Sequence, residues 1–227
     1  MLPHNRRIFE FYRQYCGAEG EAGNGLPAGS FPLFYPGFVP RGTLVIGFNP
    51  SLAPAEEKKL KNFPALTDRT AAAVEALGMP MQEEAHRTLR FFRQRHEVLD
   101  GKVPMPLQHY DLFPIRLSHQ RSLERALSLA HIRAGVAMLG KLVEQISPEV
   151  VWIANKGVWR VMSRSFEKGA GIAAVPLLRE RPKRVFAVHG LYRDTKVVVT
   201  NSFTSQFPQN LHSPAELQTV FAHLASP

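Results

Sequence analysis

A single cysteine, Cys16, is the only thiol in this chain. One thiol excludes a disulfide within the chain and any zinc or iron–sulfur centre built from several cysteines. The nine histidines show no HExxH or comparable helix-borne spacing, so no metal and no cofactor is expected. Glycine-rich phosphate loops of the GxxxxGKS/T or GxGxxG kind are missing too, which counts against a nucleotide-binding enzyme of those types. No apolar run approaches membrane-spanning length, and the opening MLPHNRR lacks the apolar core of a signal peptide. The expectation is a cytoplasmic protein with no membrane contact.

Acidic residues are also in short supply. There are 19 Asp and Glu against 28 Lys and Arg, a formal charge of +9 and a pI near 10.0. That balance favours a polyanionic partner, nucleic acid or a nucleotide. What the chain has in quantity is core-forming material: 44% hydrophobic residues over 227 positions, which suits one large α/β domain spanning 1–227. A monomer is expected.

The chain is organised around Thr43 to Ser51, TLVIGFNPS. The β-branched and aliphatic run Thr43-Leu44-Val45-Ile46 ends in Gly47, and Asn49-Pro50 follows, a buried strand running into a polar turn. Before it, residues 4–16 place Ile8, Phe9, Phe11, Tyr12 and Tyr15 on overlapping helical faces, and the Gly/Pro-rich residues 17–41 predict a long surface connection. After it, 53–62 reads as a short helix or a loop, 67–78 as a helix capped by Thr67-Asp68 and stopped at Gly78, and 82–99 as an amphipathic helix with an arginine-bearing outer face.

Residues 107–116 read as a second strand with Asp111 near its end. The clearest helical pattern runs from Gln120 to Ile146 with Pro148 just beyond, and Glu149 to Ala154 is a buried-strand pattern that turns at Asn155-Lys156-Gly157 into another helix. The stretch 179–184, RERPKR, reads as a basic loop between a helix and two more strands, Val185 to Val188 and Lys196 to Thr200, and a helix over 215–225 turns Leu217, Phe221 and Leu224 inward. Alternating helices and short apolar strands predict a three-layer α/β/α sandwich around a central, mostly parallel four-stranded sheet. Asn49, Asp111 and the segment 201–206 each follow an expected strand, so they would gather on one sheet edge, where ligands bind in open α/β sheets.

Gly47-Phe48-Asn49-Pro50-Ser51 at the end of the first strand resembles the GxNPG motif of the uracil-DNA glycosylase superfamily, especially its mismatch-specific and single-strand-selective branches. The resemblance implies a parallel sheet between helices and the removal of a damaged or mismatched base from DNA. It implies a second motif at His109 to Pro114, with Asp111 where Asn is usual, and a third near Asn201-Ser202-Phe203-Thr204-Ser205, where the expected histidine is missing.

Mechanism then follows from what those positions can do. Such an enzyme flips the nucleotide out of the stack and breaks the N-glycosidic bond with a positioned water and stabilisation of the departing base. The resemblance implies that the Asn49 amide orients the water, while Ser202 helps the leaving group. Gly47, Phe48, Asp111 and Phe113 are expected to form the base pocket, the two Phe rings as stacking surfaces or as core. An ionised Asp111 only accepts hydrogen bonds and would favour cytosine-, adenine- or guanine-like edges over uracil; a neutral acid would mimic the amide, and a strand-end Asp can instead cap its own turn. Weak or absent uracil excision is therefore expected. Ser51, Arg179, Arg181, Lys183, Arg184, Asn201, Thr204 and Ser205 are the candidate DNA contacts. The alternatives are a non-catalytic nucleic-acid-binding protein that keeps the fold, or a nucleotide-binding enzyme.

Overall fold

The computed structural model describes residues 1–16, 31–48, 70–76, 90–116, 123, 125–162, 173–179, 184–192, 195–200 and 214–225. The chain divides into two compact units that alternate along the sequence: Met1–Gly37, Phe48–Glu84 and Asp111–Leu142 form one, and Phe38–Gly47, Ala85–Tyr110 and Val143–Pro227 form the other.

The second unit holds the main sheet. Its strands are β2 (Thr43–Gly47), β3 (Leu107–Asp111, whose last residue begins a segment of the other unit), β5 (Val150–Ile153), β6 (Ala173–Arg179), β7 (Arg184–Tyr192) and β8 (Thr195–Val199). They lie in the order β3-β2-β5-β8-β7-β6. Strands β2, β5 and β8 are parallel and in step, with Thr43 opposite Val150 and Val150 opposite Lys196. At the leading ends the Thr43 N–H donates to the Pro106 carbonyl at 3.0 Å, and beyond the trailing ends the Phe113 N–H donates to the Phe48 carbonyl at 3.0 Å, so β3 runs in the same direction. The expected four parallel strands are therefore present. Strands β7 and β6 extend them as an antiparallel pair, and helix α4 (Lys156–Met162) follows β5.

Burial explains why these strands carry near-continuous apolar runs. Val45, Trp152 and Val198 face one side of the sheet in register, where Val98 and Leu99 of helix α2 (Arg90–Leu99) and Leu217, Val220, Phe221 and Leu224 of helix α5 (Pro214–Ala225) cover them. The inward set expected of the last helix is thus the observed one. On the opposite side Leu44, Ile46, Val151, Ile153, Val197 and Val199 are buried as well. A parallel strand buried on both faces cannot alternate polar with apolar residues. Each fully buried Val or Ile contributes about 1.5–3 kcal/mol of transfer free energy. Trp152 is the largest of these side chains, and its indole N–H is satisfied by Thr200 Oγ1 at 2.8 Å.

The first unit contains helix α1 (Pro3–Cys16), the short ladder of β1 (Phe31–Pro32) with β4 (Ile115–Arg116), a helical stretch at 70–76 and the larger part of helix α3 (Leu129–Ile146). Its core is built by Ile8, Phe9, Phe34, Tyr35, Leu112, Phe113, Ile115 and Ile132. Gly135 on α3 is needed there, because a Cβ at that position would stand 2.9 Å from Phe113 Cε1.

Four expectations need correction. Phe34 and Tyr35 are buried, so the end of the supposed surface connection is core. The strand expected over 107–116 stops at Asp111 and resumes at Ile115 with a different partner, β1. The helix expected from 120 to 146 is interrupted at Leu127-Ser128. There the Ser128 hydroxyl accepts from the His131 N–H at 3.3 Å while His131 Nδ1 accepts from the Ser128 N–H at 2.9 Å, a reciprocal cap that starts α3 afresh. The basic stretch at 179–184 is not simply a loop, since Arg179 closes β6 and Arg184 opens β7. Strand β6 itself escapes sequence reasoning because Pro176 reads as a breaker, yet proline is tolerated on a sheet edge, where β6 lies.

Candidate functional site

Asp111 is the last residue of β3 and is 4% exposed. A carboxyl so placed loses hydration and needs protein partners. Tyr35 supplies two bonds: its hydroxyl donates to Asp111 Oδ2 at 2.8 Å and accepts from the Asp111 backbone N–H at 3.0 Å.

Tyr35 is itself held by helix α1. The Asn5 amide pairs with both backbone groups of Tyr35, accepting from its N–H at 2.8 Å and donating to its carbonyl at 2.8 Å, as a strand neighbour would. The same carbonyl accepts from His4 Nε2 at 3.2 Å. Asn5 Nδ2 also donates to Glu75 Oε1 at 2.7 Å, and the Leu2 N–H reaches that oxygen at 2.9 Å. The α-ammonium of Met1 stands 3.4 Å from Glu75 Oε2. A continuous buried polar chain, Glu75–Asn5–Tyr35–Asp111, therefore fixes the end of β3 within the first unit. Sequence reasoning missed Asn5, Tyr35 and Glu75. The signal open to it was a lone Tyr between apolar residues in Phe34-Tyr35-Pro36, a composition unsuited to a solvated connection.

Two groups of this network have shifted proton affinities. Burial pushes the His4 imidazole below its ordinary 6.5, against the opposing pull of the Tyr35 carbonyl and Glu75. For Glu75, burial alone would raise the carboxyl, but the hydrogen bonds from Asn5 and Leu2 and the nearby ammonium outweigh it and hold it below 4.5. A depressed carboxyl contributes stability that is fully present above the unfolded value and is lost as pH falls through the folded one. Melting curves taken downward from pH 7 are expected to show a loss beginning near 4.5 that Glu75→Gln flattens. An unchanged acid limb in that variant would remove Glu75 as its source.

The segments after β2 and β3 lie side by side in the first unit, joined by the bond from the Phe113 N–H to the Phe48 carbonyl. Phe48 and Phe113 are 3% and 0% exposed, with ring centroids 5.4 Å apart at 57°. Neither ring offers an open face. Their burial gives the two rings a packing role against each other. Gly47 ends β2 half-buried. Asn49, Ser51, Arg181, Lys183, Asn201, Ser202, Thr204 and Ser205 lie outside the described residues. Arg179 and Arg184 are placed as backbone positions, facing each other at the end of the β6–β7 hairpin.

Among the described residues no three His, Cys, Asp or Glu side chains converge as a metal site would require. None of the helices among them is long and apolar enough to cross a membrane. The arrangement defines an α/β protein with a buried, tyrosine-held carboxyl at the end of a parallel strand. Scans against models of known families and against curated proteins find no match to this chain.

Proposed function

We propose that this protein is a cytoplasmic, monomeric DNA glycosylase-like hydrolase that removes a damaged or mismatched base from a flipped nucleotide. The observation that supports this reading is the backbone bond between Phe48, the residue before Asn49 in the GFNPS motif, and Phe113, two residues after Asp111. In a parallel sheet such adjacent strand ends are the expected place for a ligand. Asp111, held by Tyr35, reads the base through its acceptor oxygens, and the Asn49 amide orients the attacking water. Ser202 serves the leaving group. The charge of +9 suits a phosphodiester substrate.

The test is a panel of oligonucleotides carrying uracil, hypoxanthine, xanthine or mismatches, followed by alkaline cleavage. Strand scission at a base with amino or imino hydrogens is expected, with little or none at uracil. Asn49→Ala should lower it by roughly 100-fold or more, the scale of a lost positioning group. Scission that survives Asn49→Ala would reject the assigned water-holding role. DNA binding without any abasic product would instead favour a binding protein that keeps the fold, and competition by free nucleotides alone would favour a nucleotide enzyme.

A further inference from the structure

We propose that the stacked imidazoles of His189 on β7 and His223 on α5 form a pH-operated catch, which holds the last turn of α5 on the sheet near neutral pH and releases it when both rings carry a proton. The inference stands apart from the DNA reading and concerns how the second unit is kept closed.

The register places the first ring. Val45, Trp152 and Val198 are successive partners across β2, β5 and β8, and His189 is the partner of Val198 on β7. Cross-strand partners share a face of the sheet, so His189 extends the apolar row that α5 covers. On its other side stands Val175 of β6. A side chain whose charge changes between about pH 5 and 8 thus occupies a place that its neighbours in the row fill with valine.

The second ring comes from the helix. His223 lies in the last turn of α5, with its ring centroid 4.1 Å from that of His189 and the two planes 22° apart. Both rings are half-buried. On the same helix Val220 and Phe221 pack on the Trp152 cluster, Phe221 at 5.9 Å between ring centroids. The stack therefore fastens the C-terminal end of a helix whose other inward contacts are apolar. Lys196 of β8 adds a second tie, its ammonium donating to the Leu224 carbonyl at 3.0 Å.

Protonation works against the catch. Two neutral imidazoles pack as aromatic rings do. One proton leaves a charged ring against a neutral one, whereas the second sets two cations ring to ring in a setting that screens them less than open water. The elements around the stack bring little relief. The charged residues of β6, β7 and β8 besides the histidine are all cations, Arg179, Arg184 and Lys196, and α5 brings one carboxylate, Glu216, seven residues and about two turns before His223. Tyr192, three positions after His189 on β7, points to the opposite face, and burial pushes its phenol up, so it stays neutral. Burial, and after it the neighbouring His223, holds the His189 imidazole below its ordinary 6.5. An imidazole depressed in this way contributes stability that is fully present above 6.5 and is lost as pH falls from there through the folded value.

The experiment is hydrogen–deuterium exchange of the full chain at about pH 7.5 and about pH 5.5, with protection corrected for the intrinsic rate at each pH. The amides at the C-terminal end of α5 are expected to lose roughly tenfold or more of their protection at the lower pH, the equivalent of one pKa unit, while those of β2 and β5 lose much less. The His4 imidazole is also depressed but lies on α1 in the other unit, so a melting curve would mix the two histidines and the local reading separates them. His189→Phe and His223→Phe keep a ring and remove the proton site, and each should hold the α5 loss below roughly threefold, half of the effect on a logarithmic scale. Imidazole NMR on the parent gives a reading that needs no variant: His189 should take up its proton below 6.5, over the interval in which α5 loses protection. Equal α5 protection at the two pH values, a matching loss in β2 and β5, a loss undiminished in the Phe variants, or both imidazoles fully protonated while α5 keeps its protection would each overturn the proposal.

Discussion

Tyr35→Phe is expected to lower the unfolding free energy by about 2–4 kcal/mol, the sum of one hydrogen bond to a carboxylate and one between neutral groups. The substitution keeps the ring, so it opens no large cavity and isolates the hydroxyl. That hydroxyl is the partner of both Asp111 Oδ2 and the Asp111 N–H, in a place where Tyr35 is 0% exposed. Water has poor access to replace either bond, so two buried polar groups each lose a partner. For a chain of this length the melting temperature should fall by roughly 4–16 °C at about 2–4 °C per kcal/mol. Asp111→Asn tests the pairing through a double-mutant cycle: if the bonds are as described, Tyr35→Phe costs less in that background, with a coupling of about 0.5–3 kcal/mol. A Tyr35→Phe protein within about 0.5 kcal/mol of the parent, the range of an ordinary surface change, would mean that the tyrosine does not hold Asp111.

This network also shows where sequence reasoning stops. Strands β2, β5 and β8 were legible because each is a β-branched apolar run, and α1 and α5 because their apolar residues recur at helical spacing. Such signals are local. The bonds that fix Asp111 are not: Asn5 meets Tyr35 across 30 positions, Asn5 meets Glu75 across 70 and Tyr35 meets Asp111 across 76. No periodicity within a window of a few turns encodes them. The position of Asp111 at a strand end was readable, whereas its tyrosine partner required the folded chain. The meeting of Phe48 with Phe113 is hidden for a related reason, since the sequence places each near a strand end but does not say that the two residues touch.

Gly42→Ala should be the most damaging small substitution among the described glycines, and Gly101→Ala is its control. Both residues have positive φ, 71° and 63°, so an alanine at either meets the left-handed penalty of about 1–2 kcal/mol. At Gly101 an added Cβ meets nothing within 4 Å, and the penalty is the whole effect. At Gly42 the same atom would lie 2.4 Å from the Pro106 carbonyl oxygen and 2.8 Å from its nitrogen, both backbone atoms that no rotamer change can move aside. Relief requires the segment before β3 to withdraw. That withdrawal breaks the Thr43 N–H bond to Pro106 and strains the Thr43 hydroxyl bond to Pro104 at 2.8 Å. Tilting Gly42 instead disturbs its carbonyl, which accepts from the Glu149 N–H at 2.9 Å at the start of β5. Either route costs backbone hydrogen bonds of about 0.5–1.5 kcal/mol each on top of the strain and opens packed apolar surface. The total expected is above about 4 kcal/mol, against a typical unfolding free energy of about 5–15 kcal/mol. Denaturant melts of the two variants read the difference directly: Gly101→Ala should stay within about 2 kcal/mol of the parent, while Gly42→Ala should be largely unfolded or close to it. Equal melting of the pair would mean that the close approach of Pro106 to Gly42 is not what holds the leading ends of β2 and β3 together.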